Sequence, residues 1–490
     1  MKKYYFLLLT ILFPVCLLQS QETPIRLTLK DVIELAQTQS PSILITRHNF
    51  RSRYWSYVSY KANYLPSLSL SSTPNFNHWI NTVTLSDGTS QYVQQNQLQT
   101  DLVMSINQNI AFTGGTLSVQ TALSRLDMLD DNTYSYKSTP LMITYNQSLG
   151  GYNGLKWDKQ IQPIRYEEAK REYVENLEWV AAQAVNRFFN LAMAQTNLEI
   201  ANVNYANADT LYSFAQGRYN IGTITENEML QLEVNKLSGE SNRLNASLSL
   251  DDAMESLRTF LGIKTTEMIE VIIEGDIPLR FVNQLAALRE ASENSAELLY
   301  AERKRLESES NVAYVKGNTG LKADLYMQFG LAQTNRDLEL AYRDPLNQQY
   351  VQVGFRLPVL DWGRGKGQVE VAKSSRDVVY MQTEQDQITF EMNIKKTVKQ
   401  FNLQASQIAI AAKADYTAQR RNEIAQKLYM LGKSTILDLN SSVTEKDVAK
   451  RAYLNTLQSY WSLYYTLRSM VLFDFEQNIP IAEDYKLLIK

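Results

Sequence analysis

Apolar and small residues recur at three- and four-residue spacing along two long stretches of the chain, as in Leu191, Ala194, Leu198, Ala201 and Tyr205. That period puts them on one stripe of an α-helix packed lengthwise against other helices. Helix breakers are missing there: Ile164–Gln216 holds neither Gly nor Pro, Gln368–Leu431 runs 64 residues without either, and Lys433–Ile479 another 47. At a rise of ~1.5 Å per residue the second of these reaches roughly 100 Å. No globular core needs such helices; coiled coils and tunnels do. Elsewhere the period is two. Leu98, Thr100, Leu102, Met104 and Ile106 alternate with Gln97, Gln99, Asp101, Val103 and Ser105; Ala323, Leu325, Met327, Phe329 and Leu331 alternate with Asp324, Tyr326 and Gln328; and Val351, Val353 and Phe355 alternate with Gln352 and Gly354. Strands with one apolar and one polar face suit a transmembrane β-barrel, lipid outside and water inside. A soluble sandwich with one wet face has the same alternation.

The chain is an internal repeat. Lys61-Ala62-Asn63 through Leu70 matches Lys316-Gly317-Asn318 through Leu325 at an offset of 255. Beyond that the offset is 210: Asn153 pairs with Gly363, Tyr219 with Tyr429, Gly222 with Gly432, Thr225 with Thr435, Leu244 with Leu454 and Arg258 with Arg468. Each copy reads helix, strands, very long helix, Gly-containing turn, helix. The change of offset leaves about 45 extra residues in copy one between Leu70 and Asn153. They hold two more alternating segments, Thr116–Leu123 and Leu141–Leu149, joined through the polar Asp127–Lys137. Since ~10 residues cross a membrane once, this is room for one added hairpin. Copy one then supplies four strands and copy two only two; a hairpin folded outside or beneath a barrel is the alternative placement.

Composition removes most other functions. With one Cys and two His in 490 residues there is no disulfide framework and no ligand set for a Cys- or His-based metal site, and no nucleophile–base set points to an enzyme. A net charge of −3 gives no basic field for nucleic acid. At the N-terminus, Lys2 and Lys3 precede the apolar run Tyr4–Leu12, then Pro14 and Ser20 before Gln21–Glu22, which reads as a signal peptide over residues 1–20. A competing reading lipidates Cys16, although Phe13 and Val15 stand where such a signal wants Leu and a small residue.

Leu27-Thr28-Leu29-Lys30-Asp31-Val32-Ile33-Glu34-Leu35-Ala36 with Ser40-Pro41, Tyr64-Leu65-Pro66-Ser67-Leu68, Leu357-Pro358-Val359-Leu360-Asp361-Trp362-Gly363-Arg364 and Tyr429-Met430-Leu431-Gly432-Lys433-Ser434-Thr435-Ile436-Leu437-Asp438, in this order and on a duplicated chain, resemble the TolC-like outer-membrane efflux proteins. The resemblance covers essentially the whole mature chain. It implies an α+β membrane protein: a homotrimer forming one transmembrane β-barrel in the outer membrane of a Gram-negative bacterium, continuous with an α-helical tunnel in the periplasm and ringed by a mixed equatorial domain. On this scheme repeat 1 is 21–262, with barrel strands at about 64–150 and tunnel helices at about 155–261. The inter-repeat equatorial segment is 263–282, repeat 2 is 283–473 with strands at about 321–360 and helices at about 366–473, and 474–490 completes the equatorial domain. The function implied is a passive conduit of a tripartite efflux or type I secretion system. Its partners are a periplasmic adaptor (membrane fusion) protein, an inner-membrane RND or ABC transporter and outer-membrane lipid, with no cofactor. An exported coiled-coil scaffold or adhesin with a soluble β-domain is the reading from another class.

The glycines have local roles. Gly363-Arg364-Gly365-Lys366-Gly367 is no phosphate loop, because no Lys-Ser/Thr follows. Gly363 and Gly365 in copy two, and Asn153 and Gly154 in copy one, are read as strand-to-helix bends that tolerate φ > 0. By resemblance the turns Ile221-Gly222-Thr223 and Leu431-Gly432-Lys433 are the periplasmic tips where adaptor hairpins dock. Asp438 and Glu228, just inside the descending helices, would each form a ring of three carboxylates at the aperture, with Tyr429 in reach of Glu228. Their other reading is ordinary acidic charge at a helix N-terminus. Ser434 and Ser441 occupy the places where the best-known members carry a latch Arg and a second Asp.

Overall fold

A computed structural model describes residues 24–264, 267–273 and 280–489. The signal peptide and Cys16 lie outside the described residues, as do 274–279 of the inter-repeat segment. Copy one runs β1 (Ile25–Thr28), α1 (Leu29–Gln39), α2 (Pro41–Ala62), β2 (Ser67–Thr84), β3 (Ser90–Ile110), β4 (Gly115–Met128), β5 (Thr133–Leu149), α3 (Gly154–Asn220) and α4 (Glu226–Leu261). After β6 (Ile269–Ile272), copy two runs α5 (Gln284–Asn294), α6 (Ala296–Thr319), β7 (Lys322–Asn335), β8 (Leu346–Arg356), α7 (Arg364–Met430) and α8 (Ile436–Val471). The end is β9 (Phe473–Asp474), β10 (Ile479–Pro480) and α9 (Tyr485–Ile489). Duplication is visible in the lengths: α1 and α5 have 11 residues each, α3 and α7 have 67, α4 and α8 have 36.

The chain divides into two compact units. Of the described residues, one comprises those within 24–44, 178–281 and 400–466, mainly the tipward lengths of the four long helices. Phe188, Leu191, Leu257, Phe401, Leu457 and Tyr460 are buried within it, the rings of Phe401 and Tyr460 stacked 5.1 Å apart. Polar rungs tie α3 to α8: Gln458 Nε2 donates to Asn186 Oδ1 (3.1 Å), Arg451 Nε to Asn197 Oδ1 (2.9 Å) and Asn204 Nδ2 to Asp447 Oδ2 (2.6 Å). Low exposure makes such bonds worth more than their surface equivalents, because the alternative is an unpaired amide away from water. β1 pairs parallel with β6, and α1 starts from a capping box in which Thr28 and Asp31 exchange side-chain and backbone hydrogen bonds.

The other unit comprises Ile45–Leu177, Val282–Lys399 and Leu467–Lys490. Its centrepiece is one antiparallel sheet of six strands in the order β2-β3-β4-β5-β7-β8. The added hairpin of copy one is β4–β5, hydrogen-bonded into the sheet between β3 and β7, so the alternative of a hairpin outside or beneath it does not hold. Register keeps the faces in phase: Leu70 stands opposite Met104, Ile106 opposite Val119, which faces Ile143, then Phe329, all on the apolar face. Nine residues from Leu98 to Ile106 rise ~27 Å along the strand, roughly 21 Å of height at a tilt of ~40°. Arg125 lies over the rings of Tyr134 and Tyr136 (5.2 and 5.8 Å) where this apolar band ends, the aromatic and cationic chemistry of a membrane interface. The β7–β8 connection folds back onto the same face, Ser138 donating to the Ala341 carbonyl and Gln333 to that of Asp344 (3.3 Å).

Two local expectations need correction. The segment Asp127–Lys137 is not all loop: β4 continues to Met128, β5 begins at Thr133, and the turn closes with Asn132 at φ +48°. Helix α3 passes through Pro163 and Gly217. Pro163 removes one i→i−4 bond, and the flanking Ile161, Ala169 and Tyr173 are buried, so packing carries the helix across it. In copy one the bend into α3 is at Gly150 (φ +73°); neither Asn153 nor Gly154 has positive φ. Asn153 caps α3 instead, its Oδ1 accepting from Lys156 N (3.1 Å) while its Nδ2 donates to the Ala111 carbonyl (2.9 Å). Copy two bends at Trp362 and Gly363 (φ +56° and +85°), and Gly365 is helical, its N–H donating to Asp361 Oδ2 (2.8 Å).

Four helices join this sheet, and an ion network holds two of them: Arg303 of α6 donates to Glu168 of α3 (2.8 Å) and to Glu307 (2.8 Å), which also accepts from Arg165 (2.6 Å). Arg303 and Glu168 are 8% and 5% exposed, so removing one partner strands the other's charge. Glu168→Ala is expected to cost about 3 kcal/mol and lower the thermal midpoint of the detergent-solubilised protein, while Glu168→Leu combined with Arg303→Met costs much less than the sum of the single changes. Additive losses in that double-mutant cycle would show that the pair is not coupled.

Candidate functional site

Two places hold residues that a conduit would use: the turns between the long helices and the faces of the sheet. At the first turn Gly222 sits at φ +72°, its N–H donating to the Tyr219 carbonyl (2.9 Å), and Thr223 N reaches back to the Arg218 carbonyl (2.9 Å). The second turn repeats this: Gly432 at φ +69° donates to Tyr429 O (2.9 Å), and Lys433 N to Leu428 O (2.9 Å). This is the left-handed helix stop that glycine adopts without strain. A Cβ built on either glycine meets nothing within 4 Å, so each turn presents bare backbone to its surroundings. Ile221, Thr223, Leu431 and Lys433 are exposed beside them, the isoleucine and leucine by 74% and 69%.

Just past each turn the descending helix opens with the same device. Thr225 and Glu228 form a capping box for α4, the carboxylate accepting from Thr225 N (2.9 Å) and Oγ1 (3.2 Å). For α8, Asp438 accepts from Thr435 Oγ1 (2.7 Å) and, more weakly, from Thr435 N (3.4 Å), and Asp438 N donates back to Thr435 Oγ1 (3.1 Å). The Thr435 hydroxyl and backbone bonds hold the Asp438 carboxyl below its usual range. Both carboxylates therefore cap a helix. The sequence signal was available as Thr three residues ahead of an acid.

Where the family's latch Arg would stand, Ser434 reaches Asp438 at 3.4 Å, and Ser441 donates to Glu445 (3.1 Å), which is also paired with Arg421 across the α7–α8 hairpin. Burial pushes the Tyr429 hydroxyl above the usual tyrosine range, against the charge of Arg218, which lowers it, and with that of Glu228, which raises it. Sequence reasoning linked Tyr429 with Glu228 and missed Arg218, whose partner is distant along the chain. The strand-to-helix residues Asn153, Gly154, Gly363 and Gly365 are brought to the rim of the sheet where the helices begin.

The sheet's polar face is a hydrogen-bonded lining. Ser118 donates to Asn107 (2.6 Å), Asn107 to Ser105 (3.3 Å), and Ser105 shares a bond with Ser69 (2.9 Å). Tyr326 and Tyr350, 5.9 Å apart, donate to Gln328 and Gln352 (2.9 Å each). Mutual satisfaction leaves a wet, unreactive surface. On the other face Leu68, Leu70, Leu102, Val351 and Val353 are exposed, and β2 and β8 have one unpaired edge each among the described residues. No described helix is long and apolar enough to cross a membrane.

No protein-family model matches the sequence, and no curated protein matches it. Solved structures do. The Campylobacter jejuni CmeC outer membrane channel is similar at 16% identity and a TM-score of 0.65, covering 94% of this chain and 89% of that one. VceC, the outer membrane protein of Vibrio cholerae, is similar at 15% identity and 0.61, covering 90% and 95%. The open state of the Neisseria gonorrhoeae MtrE outer membrane channel is similar at 14% identity and 0.60, covering 93% and 90%. Residue motifs, duplicated architecture and these neighbours agree: the chain has the fold of the TolC-like outer-membrane channels.

Proposed function

We propose that the protein is the outer-membrane channel of a tripartite efflux or type I secretion system, a homotrimeric passive conduit that receives cargo from an inner-membrane RND or ABC transporter through a periplasmic adaptor. The observation that carries this is the six-stranded sheet, apolar and exposed on one face, hydrogen-bonded and polar on the other, with an open edge at each end. In lipid an unpaired strand edge is untenable. β2 and β8 run in opposite directions, because an antiparallel sheet of six strands begins and ends on opposite headings. The β8 edge of one copy can thus pair antiparallel with the β2 edge of the next, and three copies close a barrel of eighteen strands. A coiled-coil scaffold with a soluble β-domain has no use for that exposed apolar band.

The first test is fractionation. The protein is expected to stay with outer membranes after a salt wash, to need detergent for extraction and to migrate as a trimer; release by salt alone would overturn the reading.

At the tips, Ile221-Gly222-Thr223 and Leu431-Gly432-Lys433 dock adaptor hairpins in this proposal. Asn tolerates the left-handed conformation, so Gly222→Asn and Gly432→Asn add a side chain where the structure leaves open space and keep the turn. Export is expected to fall sharply with trimer and membrane insertion unchanged; full export by both variants would remove the docking role. Bulky Gly→Leu variants add strain at positive φ to the same effect.

Rings of Asp438 and Glu228 narrow and charge the aperture, with Tyr429 beside Glu228. Since both carboxylates cap helices, stability losses in Asp438→Asn and Glu228→Gln should be small and similar, under about 1 kcal/mol. Selectivity separates them: Asp438→Asn is expected to lower cation preference in planar-bilayer recordings, and Glu228→Gln to do less. Unaltered selectivity in a conducting Asp438→Asn channel would leave Asp438 with its capping role alone.

A further inference from the structure

Within the sheet-bearing unit, four of the six strands join helices directly: α2 into β2, β5 into α3, α6 into β7 and β8 into α7. In a trimer, eighteen strands spaced ~4.8 Å apart and tilted ~40° give a circumference of roughly 113 Å. Twelve helices at ~9–10 Å give roughly 108–120 Å. At the same tilt, twelve strands would give only about 75 Å. The hairpin β4–β5 therefore brings the barrel to the girth of the helices that feed it, and the exit is no narrower than the approach.

The polar face has an unusual charge balance. Register puts Lys137, Lys322, Arg356, Asp101 and Asp324 on it, and its other residues are uncharged. Asp101 is already engaged, accepting from Ser124 and Gln99. From Ser67 to Thr100 the sequence holds one ionised residue, Asp87, amid many Asn and Gln. A polyanion or polycation would be held by a large excess of opposite charge, and here three basic against two acidic residues leave an excess of only one positive charge per copy.

β2 and β3 also outreach their neighbours. β3 meets β4 only from Gln97 inward, so His78–Thr84 paired with Ser90–Asn96 forms a two-stranded ribbon beyond the sheet, at the end away from the helices. On the polar face of that ribbon Trp79 stands opposite Gln95, between Asn77 and Asn81 on its own strand, and is 59% exposed. Asn81 donates to Gln95, and Gln95 to Gln97 (2.6 Å), so a chain of amides runs beside the indole. An open aromatic face matches the C–H face of a pyranose ring, and amides, which donate and accept, match its hydroxyls.

We infer that the cargo class is a bulky, uncharged, hydrated polymer, a neutral glycan chain, which slides along the amide and hydroxyl lining and is met at the mouth by Trp79 and Gln95. This rests on the channel reading above and deepens it.

The test uses the full-length trimer in planar bilayers, with linear gluco-oligosaccharides and short dextrans added on the ribbon side and dextran sulfate and polylysine as charged probes. Neutral glycans are expected to interrupt the ion current transiently. Trp79→Ala should shorten the interruptions about tenfold, the factor one stacked ring supplies, and Gln95→Ala should shorten them less. Deleting residues 113–149, which joins β3 directly to α3, should lower the size of dextran that enters. A protein that conducts no ions overturns the channel reading and this inference with it. A conducting channel overturns the inference alone if neutral glycans leave the current unchanged, if only a charged probe blocks, or if block by neutral glycans is the same in Trp79→Ala and Gln95→Ala.

Discussion

A backbone N–H or C=O that faces hydrocarbon without a partner costs several kcal/mol, and most of this architecture answers to that cost. Six strands satisfy one another internally and leave two open rows, on β2 and β8. Such rows cannot rest in lipid, and the even number of strands sets the two edges on opposite headings, as pairing with the next copy in the proposed trimer requires. The apolar band and the hydrogen-bonded polar face follow from the same enclosure, since side chains at period two must face either lipid or water. Helices satisfy their backbone within themselves, but no described helix is long and apolar enough to cross a membrane, which leaves that part to the sheet.

Much of this was legible in the sequence, for physical reasons. Period-two and period-3.6 patterns are strong when elements are long, and here the helices run to 67 residues. Duplication gave each assignment a second, independent sighting, and the change of offset located β4–β5 before any coordinate. What stayed illegible depended on distance or on competition. Asn153 read as a bend because Asn tolerates positive φ, while its actual service as a cap needs Lys156 N and the Ala111 carbonyl in place. Nothing in the sequence could join Arg218 to Tyr429, since they approach only when the two hairpins lie together.

Under the proposed function, one residue at each tip would carry two kinds of chemistry. Asp438 and Glu228 are fixed by threonines that hold the carboxylate at the head of a helix. That restraint keeps each charge at a defined height and heading, which a flexible exposed acid lacks. Capping and a part in an aperture are thus compatible, with the first supplying the rigidity the second requires.

Equal helix lengths in the two copies carry a consequence for how such a chain can change. With 67 and 36 residues in both, one residue lost from a single helix would rotate every later side chain in it by about 100° and shorten it by ~1.5 Å against its counterpart. Lengthening there is tolerated only as matched changes in four helices. A hairpin such as β4–β5 leaves the rim and comes back to it, so whole strand pairs can be gained or shed while each helix still starts where it did. Strand number is thereby the quantity this chain can vary freely, and helix length the one that must change in both copies together.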